Sequence, residues 1–367
     1  MALPPVLLDR LRLPVVASPL FIMSNPDLVI AQCTAGIVGT FPSLNARPHA
    51  ALSEWLTRIT EALAKHDVDH PGAPSASYAV NLIVHRSNDR LDADLATIVE
   101  FEVPIVITSL GARPEVNDAI HSYGGIVLHD IIDNTFAHKA IEKGADGLIA
   151  VAAGAGGHAG AQSPFALVQE IRSWFDGPLL LSGSIAHGRS ILAAQAAGAD
   201  LAYIGSAFIA TEEANADVRH KQMIVDSTAS DIVYSNLFTG VHGNYLRGSI
   251  TAAGMDPDNL PESDPSAMSF GTGKSGNEIH KPKPWRDIWG SGQGVGTVDA
   301  VVPAAELVNR LTDEYAHAKT AMMRGFPALP DSECIDRTGE VAAVTGSGSG
   351  VGSGIRGRAD TALRAGR

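Results

Sequence analysis

Eight short apolar runs, spaced through the first 206 residues with helix-like stretches between them, constrain this chain more than any other feature. The runs are 14–18 (PVVAS), 36–40 (GIVGT), 78–84 (YAVNLIV), 105–110 (IVITSL), 125–130 (GIVLHD), 147–152 (GLIAVA), 179–183 (LLLSG) and 201–205 (LAYIG). Each is almost continuously apolar rather than alternating, the pattern of parallel strands covered on both faces. The intervening stretches place apolar residues at helical spacing. Residues 50–65 present Trp55, Leu56, Ile59 and Leu63, and residues 89–100 present Leu91, Leu95 and Ile98. Others cover 114–123, 134–143, 164–174 and 188–197, with Pro114 and Pro164 suited to first turns and Gly144 and Gly198 to C-terminal stops. Strand–helix alternation repeated eight times predicts an α/β fold, a closed (β/α)8 TIM barrel, with an open doubly wound sheet as the rival.

The barrel is expected over residues 1–211. Residues 212–303 read as a mostly helical lid, interrupted by a Gly/Pro/Ser/Asp-rich stretch at 254–283, and 304–327 as a final helix packing on the barrel. Residues 328–367 fall outside this repeat. The segment 340–355 (EVAAVTGSGSGVGSGI) is similar to the strand and glycine turn that open short-chain dehydrogenases, but the chain given continues for only twelve residues. A pyrophosphate turn needs a following helix and further βα units, so no dinucleotide domain is expected there.

Composition narrows the function classes. The net charge is −13, which argues against nucleic-acid or anionic-membrane partners. Two cysteines cannot build a disulfide framework or a four-cysteine zinc site, and no run approaches the 20 apolar residues of a membrane span. A cytoplasmic protein is expected. None of the 13 histidines stands in an HxH or HExxH spacing, so no metal site is expected. There is no GxSxG elbow and no P-loop, and Cys33 falls within an expected helix.

Two features remain. Strand runs seven and eight end in Gly183-Ser184 and Gly205-Ser206. In α/β barrels the loops after these strands often hold phosphate, because glycine lets main-chain N–H groups approach an anion; tight turns without a ligand are the plainer alternative. Run six leads into Gly154-Ala155-Gly156-Gly157-His158-Ala159-Gly160. Small residues there leave room for a flat ligand beside one imidazole, which can act as a base or, protonated, face an anion. A histidine that merely bonds to loop backbone is the alternative.

These motifs, with 181–188 (LSGSIAHG), 198–200 (GAD) and 203–208 (YIGSAF), resemble the FMN-dependent nitronate monooxygenases, formerly called 2-nitropropane dioxygenases, over residues 13–311. The same superfamily contains enoyl-acyl-carrier-protein reductases and NADH:quinone reductases. The resemblance implies that Ser18, Pro19, Leu20 and Phe21 line the isoalloxazine, that Asn81 hydrogen-bonds it, and that Gly183, Ser184, Gly205 and Ser206 hold the FMN phosphate. It places Gly157 and His158 beside flavin and substrate, His158 being the catalytic candidate, and returns Gln293 to the flavin from the lid. One position departs from the pattern: where related quinone reductases follow the strand-five histidine with lysine, His129 here precedes Asp130. The implied reaction is oxidation of a small-molecule nitronate by O2 to a carbonyl compound and nitrite. NAD(P)H-dependent reduction of a quinone or enone is the second reading, flavin binding without turnover the third, and a homodimer is compatible with any of them.

Overall fold

Alternation along the strands sorts two packing layers. The computed structural model describes residues 3–263 and 286–325. Its main sheet contains β1 (Val15–Ala17), β2 (Gly39–Pro42), β3 (Tyr78–Ile83), β4 (Ile105–Ser109), β5 (Ile126–Ile131), β6 (Gly147–Val151), β8 (Leu179–Ser182) and β9 (Leu201–Ile204). All are paired in parallel in the order β1-β9-β8-β6-β5-β4-β3-β2, and a bridge between Val16 and Val38 joins the two ends. The sheet is therefore a TIM-type barrel, and the doubly wound alternative falls away.

Val16, Ala79, Ile105, Ile107, Leu128, Ile149, Leu180, Leu201 and Tyr203 form one buried cluster, capped by Leu7 from the N-terminal segment. Their chain neighbours Val15, Val80, Val106, Val127, Leu148, Leu181 and Ala202 belong to the other cluster, shared with the helices. Residues two apart on a strand share a face, so the first set fills the barrel and the second faces the helical ring. Continuing the inward alternation brings Ser18, Asn81, Ser109, Asp130, Ser182 and Tyr203 to the C-terminal mouth, where the apolar filling stops.

The helices between strands are α1 (Pro26–Thr34), α2 (Ala51–Asp69), α3 (Leu91–Glu100), α4 (Pro114–His121), α5 (Asn134–Glu142), α6 (Pro164–Arg172) and α7 (Gly188–Ala197), and the short α8 (Ser206–Ile209) follows β9. Pro26, Pro114 and Pro164 occupy first turns, and Gly198 ends α7 at φ +114°, a left-handed value that glycine adopts without strain. The long helix α11 (Ala304–Gly325) packs on the start of α7. A Cβ on Gly188 would lie 2.1 Å from the Tyr315 nitrogen, so this contact tolerates only glycine.

Residues 212–263 and 286–303 are less helical than their sequence pattern suggests. Besides α9 (Val218–Asp226) and α10 (Arg247–Ala252) they supply β10 (Ile232–Ser235) and β11 (Gly243–Leu246). These strands form a second, antiparallel sheet in the order β10-β11-β7, in which β7 is only Gly157–His158. The covering segment is thus clipped onto the glycine-rich loop after β6. The remainder of the 254–283 stretch and the tail 328–367, including its glycine turn, lie outside the described residues.

Candidate functional site

Strain marks the barrel mouth. Three of the four non-glycine residues with positive φ among the described residues, Ile22 (71°), Leu110 (63°) and Ser184 (56°), follow β1, β4 and β8 at their C-terminal ends. Left-handed backbone is costly for such residues, Ile above all, and persists only where surrounding contacts impose it. Asn45 does this for Ile22: its Oδ1 accepts the Ile22 N–H at 2.8 Å, while its amide donates to the Leu20 and Ser24 carbonyls.

A cavity of about 2590 Å³ opens at this mouth. Ser18, Pro19, Leu20, Phe21, Asn81, Gly157, His158, Gly183, Ser184, Gly205 and Ser206 all line it. Gln293 is not among its lining residues: its N–H donates to the Gly154 carbonyl at 2.9 Å, and its neighbours Gly292 and Gly294 face the space instead. Close approaches tie these elements together. A Cβ on Gly205 would come 3.3 Å from the Ser18 Cβ, one on Gly156 would come 2.9 Å from the Ser206 Oγ, and one on Gly154 would come 2.2 Å from the Ser184 Oγ. The glycines let the segments that leave neighbouring strand ends approach one another closely.

The polar groups are differently committed from the sequence-based picture. The Ser184 N–H, expected to face an anion, donates to the Gly154 carbonyl at 3.2 Å, so this residue offers its hydroxyl instead. The Ser206 Oγ accepts the Gly292 N–H at 2.8 Å. In the segment after β1, the N–H groups of Ser18 and Leu20 are bonded to the Ile204 carbonyl and the Ser24 hydroxyl. That segment therefore contributes apolar surface, including the Phe21 ring, over which the Arg47 guanidinium lies at 5.3 Å. Asn81 is buried and donates both to the Ile107 carbonyl (3.1 Å) and to the Ser109 hydroxyl (2.7 Å). Its own carbonyl oxygen is what it can present to a ligand N–H.

His158 is fixed by β11. Gly157 and His158 pair with Asn244 and Gly243, and a Cβ on Gly243 would lie 2.7 Å from the Gly157 oxygen. The Asn244 amide donates to the Ala155 carbonyl at 2.7 Å, locking the loop further. Nε2 of His158 lies 2.9 Å from the Thr239 Oγ1, and that hydroxyl donates onward to the Val241 carbonyl. The hydroxyl therefore accepts from the imidazole, which favours the Nε2–H tautomer and leaves Nδ1 with the basic lone pair. Burial lowers the imidazole pKa from 6.5 to about 4. At neutral pH His158 is uncharged, so a hydrogen-bonding or base role fits it and a standing cation does not.

Sequence reasoning missed Thr239, Ser109 and Tyr203, and took Asp130 as a departure rather than a site residue. Asp130 accepts the Ser109 hydroxyl at 2.6 Å through one oxygen, and its other oxygen is buried without a partner. Burial raises its pKa to about 6, opposed by the Ser109 bond. Tyr203 reaches the same interior; burial and then the nearby Asp130 push its phenol well above its usual value. Inward alternation from Ile105 and Ile107 pointed to Ser109, whereas nothing local pointed to Thr239. Cys33, within α1, is buried with its thiol pushed up to about 12, which suppresses the nucleophilic thiolate.

An uncharged imidazole, a buried carboxyl and glycine-lined turns thus converge at the strand ends, where α/β-barrel enzymes carry their active sites. The chain belongs to the nitronate monooxygenase family, whose model matches residues 8–314. It is 26% identical over 348 residues to a nitronate monooxygenase of Paraburkholderia phytofirmans, covering 82% of this chain and 92% of that protein. Among solved structures it is similar to a nitroalkane oxidase from Streptomyces ansochromogenes, at a TM-score of 0.71 and 24% identity, covering 86% of this chain and 99% of that one. FabK from Thermotoga maritima shares the fold at a TM-score of 0.67 and 20% identity, covering 87% and 97% of the two chains. The protein is an oxidoreductase.

Proposed function

We propose that the protein is an FMN-dependent nitronate monooxygenase that oxidises alkyl nitronates with O2 to carbonyl compounds and nitrite. The carrying observation is His158, a neutral imidazole held by Thr239 on the wall of the cavity at the strand ends. The residues present fit the cofactor. Gly183, at φ +137°, and the exposed Ser184 hydroxyl face Gly205 and Ser206 around the cavity, a cradle for a phosphate. Asn81 offers an acceptor to the one N–H of an oxidised isoalloxazine, and the apolar surface of Pro19 to Phe21 suits a flat ring. Bound there, FMN supplies the electron transfer that no side chain can.

The protein's own contribution is placement and proton handling. The loop of Gly154, Gly156 and Gly157 holds His158 on the cavity wall. Nδ1 of His158 can take the α-proton of a neutral nitroalkane, and once protonated it donates a hydrogen bond to the nitronate oxygens so formed. A second reading, NAD(P)H-dependent reduction of a quinone or enone, draws on the cavity volume. About 2590 Å³ exceeds the ~300–1,000 Å³ of an ordinary small-molecule site and leaves room for two large ligands.

The test is anaerobic mixing of the FMN-loaded protein with propyl-2-nitronate and, separately, with NADH. Bleaching of the flavin's visible absorption by the nitronate supports the first reading. Bleaching by NADH alone selects the second, and a colourless protein that takes up no FMN overturns both.

A further inference from the structure

Asp130 is a carboxyl built into a place where a permanent charge is poorly supported. It sits on the inward face of β5 at the barrel mouth, lining the cavity, with one oxygen on the Ser109 hydroxyl and the other buried and unpartnered. The Ser109 hydroxyl in turn accepts from Asn81, so Asn81 on β3, Ser109 on β4 and Asp130 on β5 form one line of hydrogen bonds, 2.7 and 2.6 Å long. From β9, Tyr203 faces the carboxyl, its phenol destabilised as an anion by Asp130. On its own strand, His129 alternates outward to the Thr108 hydroxyl, 2.6 Å away. His158, on β7, is neutral, and no lysine or arginine among the described residues registers on Asp130.

We infer that Asp130 is a proton acceptor coupled to the electron load of the cofactor, taking up a proton when negative charge arrives on the ring edge that Asn81 contacts. This rests on the FMN reading above and goes beyond it. Reduction of bound FMN by two electrons, from a chemical reductant or an oxidisable substrate, with one proton gives the reduced anion. A buried carboxylate at the far end of the Asn81–Ser109 line then faces a second negative charge with no cation between them. Taking a proton from solvent relieves this. The sum is oxidised FMN, Asp130 carboxylate, two electrons and two protons giving anionic reduced FMN and Asp130 carboxylic acid. With the proton on its unpartnered oxygen, Asp130 gains a donor that the carboxylate lacks, while its other oxygen still accepts from Ser109. Asp130 is thus a positioning residue acting through Ser109 and Asn81.

The experiment measures protons taken up per flavin on anaerobic photochemical reduction in weakly buffered solution containing a pH dye, from pH 6 to 9. The wild type, D130N and D130E are each loaded with FMN and compared. The wild type should take up as much as one proton more per flavin than D130N within part of that range, and D130E should restore the excess with its window displaced. Equal uptake by wild type and D130N throughout overturns the inference while leaving FMN binding, and so the proposed function, intact. A wild type that binds no FMN overturns the function reading itself. If D130N does not fold, S109A serves instead. It removes the bond that favours the carboxylate, so the pH window of proton uptake per flavin should lie higher than in the wild type; an unmoved window overturns the inference.

Discussion

His158 can be interrogated quantitatively because its burial and its tautomer are both readable. An imidazole at about 4 rather than 6.5 is ~97% neutral at pH 5.5, whereas an unperturbed one is ~9% neutral, a ratio of about ten. If His158 takes the α-proton of a neutral nitroalkane, kcat/KM for nitroethane should be level from pH 8 down to about 5 and fall only below that. H158N should retain FMN but lose about 10²–10⁴ in kcat/KM with nitroethane, the usual worth of a general base. With preformed propyl-2-nitronate the loss should be far smaller, since that proton is already gone. T239V removes the acceptor for Nε2–H; one hydrogen bond of ~1 kcal/mol predicts about a fivefold loss with nitroethane, by weakening the tautomer with Nδ1 as base. Oxygen-electrode rates for both substrates across the pH range supply the test. A break near 6.5 that disappears in H158N would refute the burial argument, and equal losses on the two substrates would remove His158 as the base.

Two further outcomes follow from the same chain. His129, His158 and His220 are each lowered to about 4 by burial, while Asp130 is raised to about 6. Near pH 5 the unfolded chain binds about three imidazole protons that the folded chain does not, and the folded chain binds about one carboxyl proton that the unfolded chain does not. The net of two makes stability fall with falling pH, by roughly 2.7 kcal/mol per unit from these groups alone; urea unfolding of flavin-free protein should show it, and D130N should steepen it. Separately, G183A places a Cβ at φ +137° and 2.7 Å from the Ala153 oxygen, which forces the β8 turn to shift. FMN affinity, followed by quenching of flavin fluorescence, should drop at least tenfold, whereas G72A, with nothing within 4 Å of the added atom, should leave it unchanged.

The barrel was legible because its signal is local. Runs such as 105–110 are apolar on both faces, and Pro114, Pro164 and Gly198 punctuate the helices at the positions the structure uses. The second sheet was not, since β7 is two residues inside a glycine loop and has no period to detect. Its existence depends on β11, whose Gly243 lies 85 residues further along and must be small because of the Gly157 carbonyl. At the site, the glycine turns and His158 stand out by composition alone, but their commitments are set by distant partners. Ser184 gives its N–H to Gly154, and His158 takes its tautomer from Thr239. The positive φ of Ile22 depends on Asn45 and leaves no trace in the residues around it.

Asp130 and His158 together explain how this mouth can work without a fixed cation at its centre. On the proposed reading a nitronate would bring one negative charge and the cofactor phosphate more, yet the five cationic side chains that line the cavity among the described residues, Arg286 on Asp287 included, are engaged with other groups of the protein. Arg90 is bonded to Asp94, Lys143 to the Ala112 carbonyl, Arg47 lies over Phe21 and Lys139 over Phe136. A permanent carboxylate opposite a charged ring would repel it, and a permanent imidazolium would be lost to burial. Both groups are instead moved by burial toward their neutral forms, the acid up and the base down. Charge arriving at such a site is matched by moving protons rather than by standing ion pairs. On the proposed readings its electron chemistry should be sensitive to pH through Asp130 and its proton abstraction insensitive to pH above 5 through His158, two dependences that one pair of single-residue variants separates.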